Sequence, residues 1–394
     1  MTDTELRTAT LQDLATLLEA QQVRKVDAVV PASKITTRPD GLIRVEDVDG
    51  MLTDTGVIPV SGDYRPTDLA VEQLADKLGI PLAYARKLYT QRPDLFQANV
   101  DGWLHGYVAR SADESWVEGA DPRSFLLRMF RPDMGDEPGM LRSFLSDRYK
   151  VIDHLDVLTS AIEGINNAGL EVQVQACDLT DRRMYVRIHA PQVEVLAPEL
   201  LRGYRSPWTG DQGTDNPTVF AGFVLSNSET GEGSWTIAPQ VIVRICTNGM
   251  TMKRDVLRQV HLGGKLDQGV VRYGEDTQAA QLELVKLKAR DTVATFLDVE
   301  YVRAKVAELT EQAGVKLDDP AKAVEIVTQR LSYTEGQRAD VLRMFVEGGQ
   351  MTAGGVMQAV TAAAQLQPSG DTQYAMELDA VPALEAAVAA AGAS

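Results

Sequence analysis

Phe220-Ala221-Gly222-Phe223-Val224-Leu225-Ser226-Asn227-Ser228-Glu229-Thr230-Gly231-Glu232-Gly233-Ser234-Trp235-Thr236-Ile237-Ala238-Pro239-Gln240-Val241-Ile242-Val243-Arg244-Ile245-Cys246 is the stretch that decides the fold. Two runs rich in β-branched and aromatic residues flank Glu229-Thr230-Gly231-Glu232-Gly233, whose glycines can take the positive φ a tight connection needs, so the whole reads as a hairpin. A second hairpin lies upstream: residues 170–177, a turn at 178–181, and residues 184–188. Between that hairpin and a strand-like Phe125, Leu127 and Met129, residues 141–150 lead into a helix capped by Asp153 and running through Leu155, Leu158 and Ile162. The centre is therefore expected to be an antiparallel β-sheet with a helix packed on it, and the fold class α+β.

Outward from this centre the pattern becomes helical on both sides. Toward the N-terminus, Leu11, Leu14, Leu17 and Leu18 recur at helical spacing behind a Thr10/Asp13 cap, and Ile43 and Val45 alternate within short strands over 34–60, with turns at Pro39-Asp40-Gly41 and Asp49-Gly50. Residues 67–88 carry two helical patterns broken at Gly79-Ile80-Pro81, a helix-turn-helix-like pair. In a DNA reader its second helix would present Arg86, Lys87, Gln91 and Arg92; an ordinary helical hairpin produces the same pattern. Toward the C-terminus, residues 275–313 read as one or two helices with Leu282, Leu284, Leu287, Thr292 and Phe296 inward, Ser332-Tyr333-Thr334-Glu335 starts another, and 352–364 and 380–391 complete a helical third. The expected division is a small N-terminal α/β region over 1–120, a central antiparallel β domain over 121–274 and a helical C-terminal region over 275–394.

Composition narrows the function classes. The 394 residues carry 39 Lys plus Arg against 56 Asp plus Glu, a formal charge of -17, so the surface as a whole repels phosphate backbones and any nucleic-acid site must be a local basic patch. No apolar run of membrane-spanning length and no signal-peptide pattern is visible, which points to the cytoplasm of a bacterial host and to no membrane partner. Cys177 and Cys246 read as buried free thiols, and His105, His154, His189 and His261 are scattered, so no metal is expected. GxGxxG, GxxxxGK[ST] and GxSxG are absent, and no cofactor or catalytic residue is assigned.

One departure from acidity stands out. Arg244, Lys253, Arg254, Arg258 and Lys265 face a single Asp255, and Arg182, Arg183 and Arg187 can extend this stripe, with Tyr185 and Trp235 as stacking platforms for unpaired bases. The alternative is that the same arginines pair with the abundant carboxylates. A polar site would form if Asp147, Arg148, Tyr149, Asn227 and Asn248 converged, though no order of nucleophile and base is readable in them.

The run Leu145-Ser146-Asp147-Arg148-Tyr149, the segment Gly222-Phe223-Val224-Leu225-Ser226-Asn227-Ser228-Glu229-Thr230-Gly231 and Arg244-Ile245-Cys246-Thr247-Asn248-Gly249 together resemble the phage/plasmid-like proteins that contain domain of unknown function 932, as do Gly348-Gly349-Gln350-Met351-Thr352 and Ala359-Val360-Thr361 near the end. The resemblance implies an origin in a bacteriophage, prophage or plasmid and carries no catalytic residues with it. Helix, hairpins and long helix are also similar in order to single-strand annealing proteins. Three functions follow as expectations: a non-enzymatic replication or recombination protein that binds single-stranded DNA through the stripe, an acidic homo-oligomeric protein that engages a host or phage protein, and an enzyme with an unfamiliar polar site.

Overall fold

The computed structural model describes residues 5–53, 56–110, 116–132, 137–246, 249–259, 269–270 and 275–392. A short strand β1 (Leu6–Ala9) leads into α1 (Leu11–Arg24), which starts at the expected Thr10/Asp13 capping box, each side chain satisfying the other's backbone N–H. Strand β2 (Lys25–Pro31) follows without a loop, then β3 (Ile35–Thr37), β4 (Ile43–Val45), β5 (Met51–Thr53), β6 (Gly56–Ile58) and β7 (Gly62–Pro66). Helices α2 (Asp68–Leu78) and α3 (Leu82–Gln91) are the expected pair, joined where Gly79 takes φ +69°, a left-handed conformation that glycine adopts without Cβ strain. Pro93 opens α4 (Pro93–His105), and β8 (Tyr107–Arg110), β9 (Trp116–Gly119), β10 (Ser124–Phe130) and β11 (Gly139–Ser146) come next.

Then α5 (His154–Asn167) precedes the two hairpins, β12 (Gln173–Leu179) with β13 (Met184–Leu196) and β14 (Thr218–Asn227) with β15 (Trp235–Val243). Short strands β16 (Gly249–Thr251), β17 (Leu257–Gln259) and β18 (Gly269–Val270) lead to the helices α6 (Glu275–Phe296), α7 (Val299–Ala313), α8 (Pro320–Arg330), α9 (Glu335–Gly348), α10 (Ala353–Ala364), α11 (Gly370–Leu378) and α12 (Ala380–Gly392). Thr334 and Gln337 form the capping box of α9, as the Ser332-Tyr333-Thr334-Glu335 run predicts. The α+β class holds.

The strands divide into two large sheets. One is antiparallel throughout, in the order β1-β12-β13-β14-β15-β16 with β17 also on β15. The other is mixed, in the order β18-β2-β10-β11-β7-β4-β3, its β11–β7 pair being parallel. This corrects the expected division at residue 120: β10 and β11 pair with β2 and β7, so the N-terminal sheet runs on to Ser146. Residues 141–150, which lead into α5 behind its Asp153 cap as expected, are themselves strand and then turn, with Leu141 and Phe144 buried against the α2–α4 layer.

Both faces of the antiparallel sheet are covered. Val186, Ile188, Phe223, Trp235 and Ile237 join the main core with α5, α6 and the C-terminal helices, while Tyr185, Val224 and Ala238 on the reverse face pack on Tyr374 of α11. Helix α6 turns a different stripe inward from the one expected: Val285, Ala289 and Val293 are buried with Phe296, whereas Leu284 and Leu287 are exposed. The reason is the close approach of α5, where a Cβ on Gly164 would lie 2.3 Å from the Lys286 carbonyl, so small residues face the crossing and the leucines are turned away.

Candidate functional site

Among the described residues the basic stripe does not form a continuous surface. Trp235 is wholly buried, and Tyr185 is buried with its hydroxyl donating to Asp371 Oδ1 at 2.7 Å, so neither can stack on a base. The physical reason is that helices cover both faces of this sheet, which leaves its alternating side chains no open side. Arg182 donates to Glu72 Oε2 at 2.6 Å and to Glu232 Oε2 at 2.7 Å, and Arg183 to the Glu232 carbonyl at 2.6 Å. Arg187 is buried between Asp178 and Glu377. Arg244, half exposed, pairs with Glu194 at 2.9 Å, and Lys253 is exposed. The side chains of Arg254 and Arg258 and the whole of Lys265 lie outside the described residues. Pairing with carboxylates, the alternative reading, is what the described acidic partners provide. In the helix pair, Arg86 is likewise held by Asp68 and Glu72, and Arg92 by Asp94.

The described residues of the expected polar site do not form one cluster. Tyr149 and Asn227 come together at the tip of the β14–β15 hairpin: Tyr149 Oη donates to the Ser228 carbonyl at 3.0 Å, and Asn227 Nδ2 lies 3.1 Å from both the Ile152 carbonyl and His154 Nδ1. Asp147 and Arg148 occupy the turn after β11, with Arg148 pointing to solvent. Asn248 lies outside the described residues, and its neighbour Gly249 pairs with Ile242, at the opposite end of β15 from the Asn227 tip.

That tip is a joint between the sheets. Asn227, Ser228, Glu229 and Thr230 are buried, and Gln73 of α2 donates to the Thr230 carbonyl at 2.6 Å. Glu229 takes Lys25 Nζ at 2.6 Å and the His154 N–H at 2.5 Å on one oxygen and Arg142 Nη2 at 2.6 Å on the other, while Arg128 donates to the Glu229 carbonyl, to Asp27 and to Asp153. Lys25, Arg128 and Arg142 thus meet Asp27, Asp153 and Glu229, a neutral set of three cations and three carboxylates. Burial alone would raise the Glu229 carboxyl, but Lys25, Arg142 and Arg128 beside it hold it well below the usual carboxylate range. Burial holds the neighbouring His154 imidazole down to about 3, so it is neutral. Apart from Arg142 Nη1 and Asn227 Oδ1, which have no partner among the described residues, the buried groups here are consumed by one another, which makes the cluster structural.

A cavity of about 330 Å³ opens on the reverse face of the same sheet, beneath α11, within the size range of about 300–1,000 Å³ usual for small-molecule sites. Strand β13 supplies Arg187, whose Nε donates to Glu377 Oε1 at 3.1 Å and whose Nη1 donates to Asp178. Strand β1 supplies Arg7, donating to Asp178 Oδ1 at 2.7 Å and to Gln373 Oε1 at 2.5 Å. Helix α11 supplies Gln373 and Glu377, one turn apart and bonded to each other at 2.7 Å; β15 supplies Gln240, and β12 supplies Gln175 at the mouth. Burial opposes the Arg187 charge, but Glu377 and Asp178 raise its affinity for the proton above the ordinary value. Burial likewise opposes ionisation of Asp178, and Arg187, the Thr8 N–H and Arg7 lower its pKa overall.

Two features of this wall are energetically unfavourable. Thr8, which lines the cavity, holds φ at +52° where the β1–β12 register shifts between Leu6 and Ala9, and a β-branched residue in that region is a genuine outlier. Its N–H is held there by Asp178 Oδ1 at 2.8 Å. Arg187 Nη2 is buried with no hydrogen-bond partner among the described residues, a condition that costs about 1–3 kcal/mol. Strain and unsatisfied donors concentrate at functional sites.

Of this site, sequence reasoning singled out only Arg187. The available signal is polar residues at inward positions of apolar strands, Gln240 within Ile237-Ala238-Pro239-Gln240-Val241-Ile242 and Asp178 after Cys177. Helix α11 and the bulged β1 carry no comparable mark. Among the described residues no group of three or more His, Cys, Asp or Glu side chains is placed to hold a metal ion, and no helix is long and apolar enough to cross a membrane. No protein-family model, curated protein or solved structure matches this chain.

Proposed function

We propose that this protein binds a small polar molecule in the cavity between the antiparallel sheet and α11. The observation that carries the proposal is the convergence there of polar side chains from separate strands and one helix, around a strained Thr8 and an incompletely paired Arg187. The Glu229 cluster also leaves one guanidinium nitrogen unpartnered; what sets this ion pair apart is the void of about 330 Å³ that it borders. The chemistry supplied is recognition, since each charged group is already tied to an opposite charge.

The test is differential scanning fluorimetry of the full chain against separate classes of small molecule: amides, nucleosides, amino acids, sugars, carboxylic acids and phosphates. A binder of the folded state raises the melting temperature with concentration. At least one class is expected to do so, with the effect lost in Arg187→Met. No shift with any class overturns the proposal.

A phage or plasmid origin is a further proposal, supported by the resemblance of residues 145–149, 222–231 and 244–249. Single-strand binding in a replication or recombination role is supported by the sequence of residues 244–265 and by the exposed Arg244 and Lys253. Its test is fluorescence anisotropy with labelled single strands at about 50 and 200 mM salt, where phosphate contacts weaken steeply. Unchanged anisotropy at the lower salt ends that reading.

A further inference from the structure

The walls of the cavity still carry unspent hydrogen-bonding valences, and these select a ligand chemistry. Arg7 Nη2, Gln373, Glu377 and Gln240 form one hydrogen-bonded row: Arg7 to Gln373 at 2.5 Å, Gln373 to Glu377 at 2.7 Å and Gln240 Nε2 to Glu377 Oε2 at 3.3 Å. Gln373 accepts at one end and donates at the other within the row. At one end Gln240 gives its Nε2 also to Thr251 Oγ1 at 2.9 Å, which leaves Oε1 as an acceptor without a donor among the described residues. At the other end Arg7 has Nη1 and Nη2 engaged and Nε not, and Gln175 at the mouth has neither amide atom engaged among the described residues.

The charges are closed. Arg7 and Arg187 balance Asp178 and Glu377, so an ionic ligand would bring a charge with no free countercharge against the buried Gln240, Gln373 and Glu377. A neutral ligand that donates at the Gln240 end and accepts at the Arg7 and Gln175 end fills the open valences without that penalty. The position of Gln240 is itself set by Gly249, where a Cβ would come within 2.7 Å of Gln240 Nε2. Resting on the proposal that the cavity is a binding site, we infer that its ligand is a neutral, two-ended molecule: a carboxamide or cyclic-amide N–H donates to Gln240 Oε1, and an acceptor at its far end takes a hydrogen from Arg7 Nε or Gln175 Nε2.

Isothermal titration calorimetry of the full chain with nicotinamide, uridine and nicotinate tests this. Nicotinamide has an amide N–H at one end and a ring nitrogen acceptor at the other, uridine has a cyclic-amide N–H and distant hydroxyls, and nicotinate replaces the amide by a carboxylate on the same ring. Saturable heats are expected with nicotinamide and uridine, and affinity for nicotinate weaker by about tenfold or more, because a site built around a donor rejects the analogue that lacks it. Gly249→Ala, which displaces the Gln240 amide, is expected to weaken nicotinamide by about tenfold. If that variant does not fold, Gln175→Ala, at an exposed position, is expected to weaken it about threefold, the loss of one modest hydrogen bond. Nicotinate binding as tightly as nicotinamide, or variants that bind like the parent, overturns the amide assignment. The cavity itself then stands or falls by the fluorimetric panel, so the two failures are distinguishable.

Discussion

Thr8 illustrates how much a single backbone angle contributes here. At φ +52° its branched side chain is strained by about 1–2 kcal/mol, while the Asp178 carboxylate that holds its N–H also anchors Arg7 and Arg187. Thr8→Asn, which tolerates the left-handed region, is expected to stabilise the protein by about 1 kcal/mol in chemical denaturation; an unchanged or lowered midpoint contradicts the strain. His154 gives the pH counterpart. Its folded pKa of about 3 lies below the ordinary 6.5, so the unfolded chain takes up the proton first as pH falls. Stability is then expected to fall by about 1.4 kcal/mol per pH unit below about 6.5. The depressed carboxyls of Glu229, Asp153 and Asp178 act lower down: their contribution is present above the ordinary carboxylate range and is lost as pH falls through their folded values. In His154→Gln the slope between about pH 6.5 and 4.5 is expected to shrink, leaving the part that His189, also lowered by burial, contributes, while the steeper loss below it remains.

Elements meet here at two kinds of junction, one tight and apolar and the other ionic. Helices α5 and α6 cross at Gly164, where Gly164→Ala drives a methyl to 2.3 Å from the Lys286 carbonyl and is expected to cost about 1–3 kcal/mol by forcing the helices apart. The β14–β15 tip is the ionic junction, and Glu229→Gln, which leaves three cations facing two carboxylates, is expected to cost roughly 3–5 kcal/mol in urea unfolding. These elements differ in how readable they are. The hairpins, the Thr10 and Thr334 caps and the Gly79 turn were legible because period-two patterning, capping residues and a left-handed glycine act locally. The inward stripe of α6 was not, since leucines lie on both its sides and only the partner helix decides which are buried. The basic stripe misled for a similar reason: Arg187 on a strand looks solvated until helix α11, which no expected cap marks, covers it.

At the scale of the whole molecule, two sheets are locked by a neutral buried ion cluster, and the reverse face of one sheet is roofed by α11 with a polar cavity left beneath it. The segment Asn227-Ser228-Glu229-Thr230, among the most recognisable in the sequence, belongs to the lock; the cavity is built from residues that look unremarkable one by one. Ligand binding and folding are coupled through Asp178 and Glu377, which pair with the same Arg187 that lines the cavity. The most direct measurement of the central claim is a crystal structure of the full chain grown with nicotinamide at saturating concentration. Density for the amide against Gln240, with Arg187 still paired to Asp178 and Glu377, is the predicted result; a cavity closed by its own side chains, or filled by water alone, contradicts it.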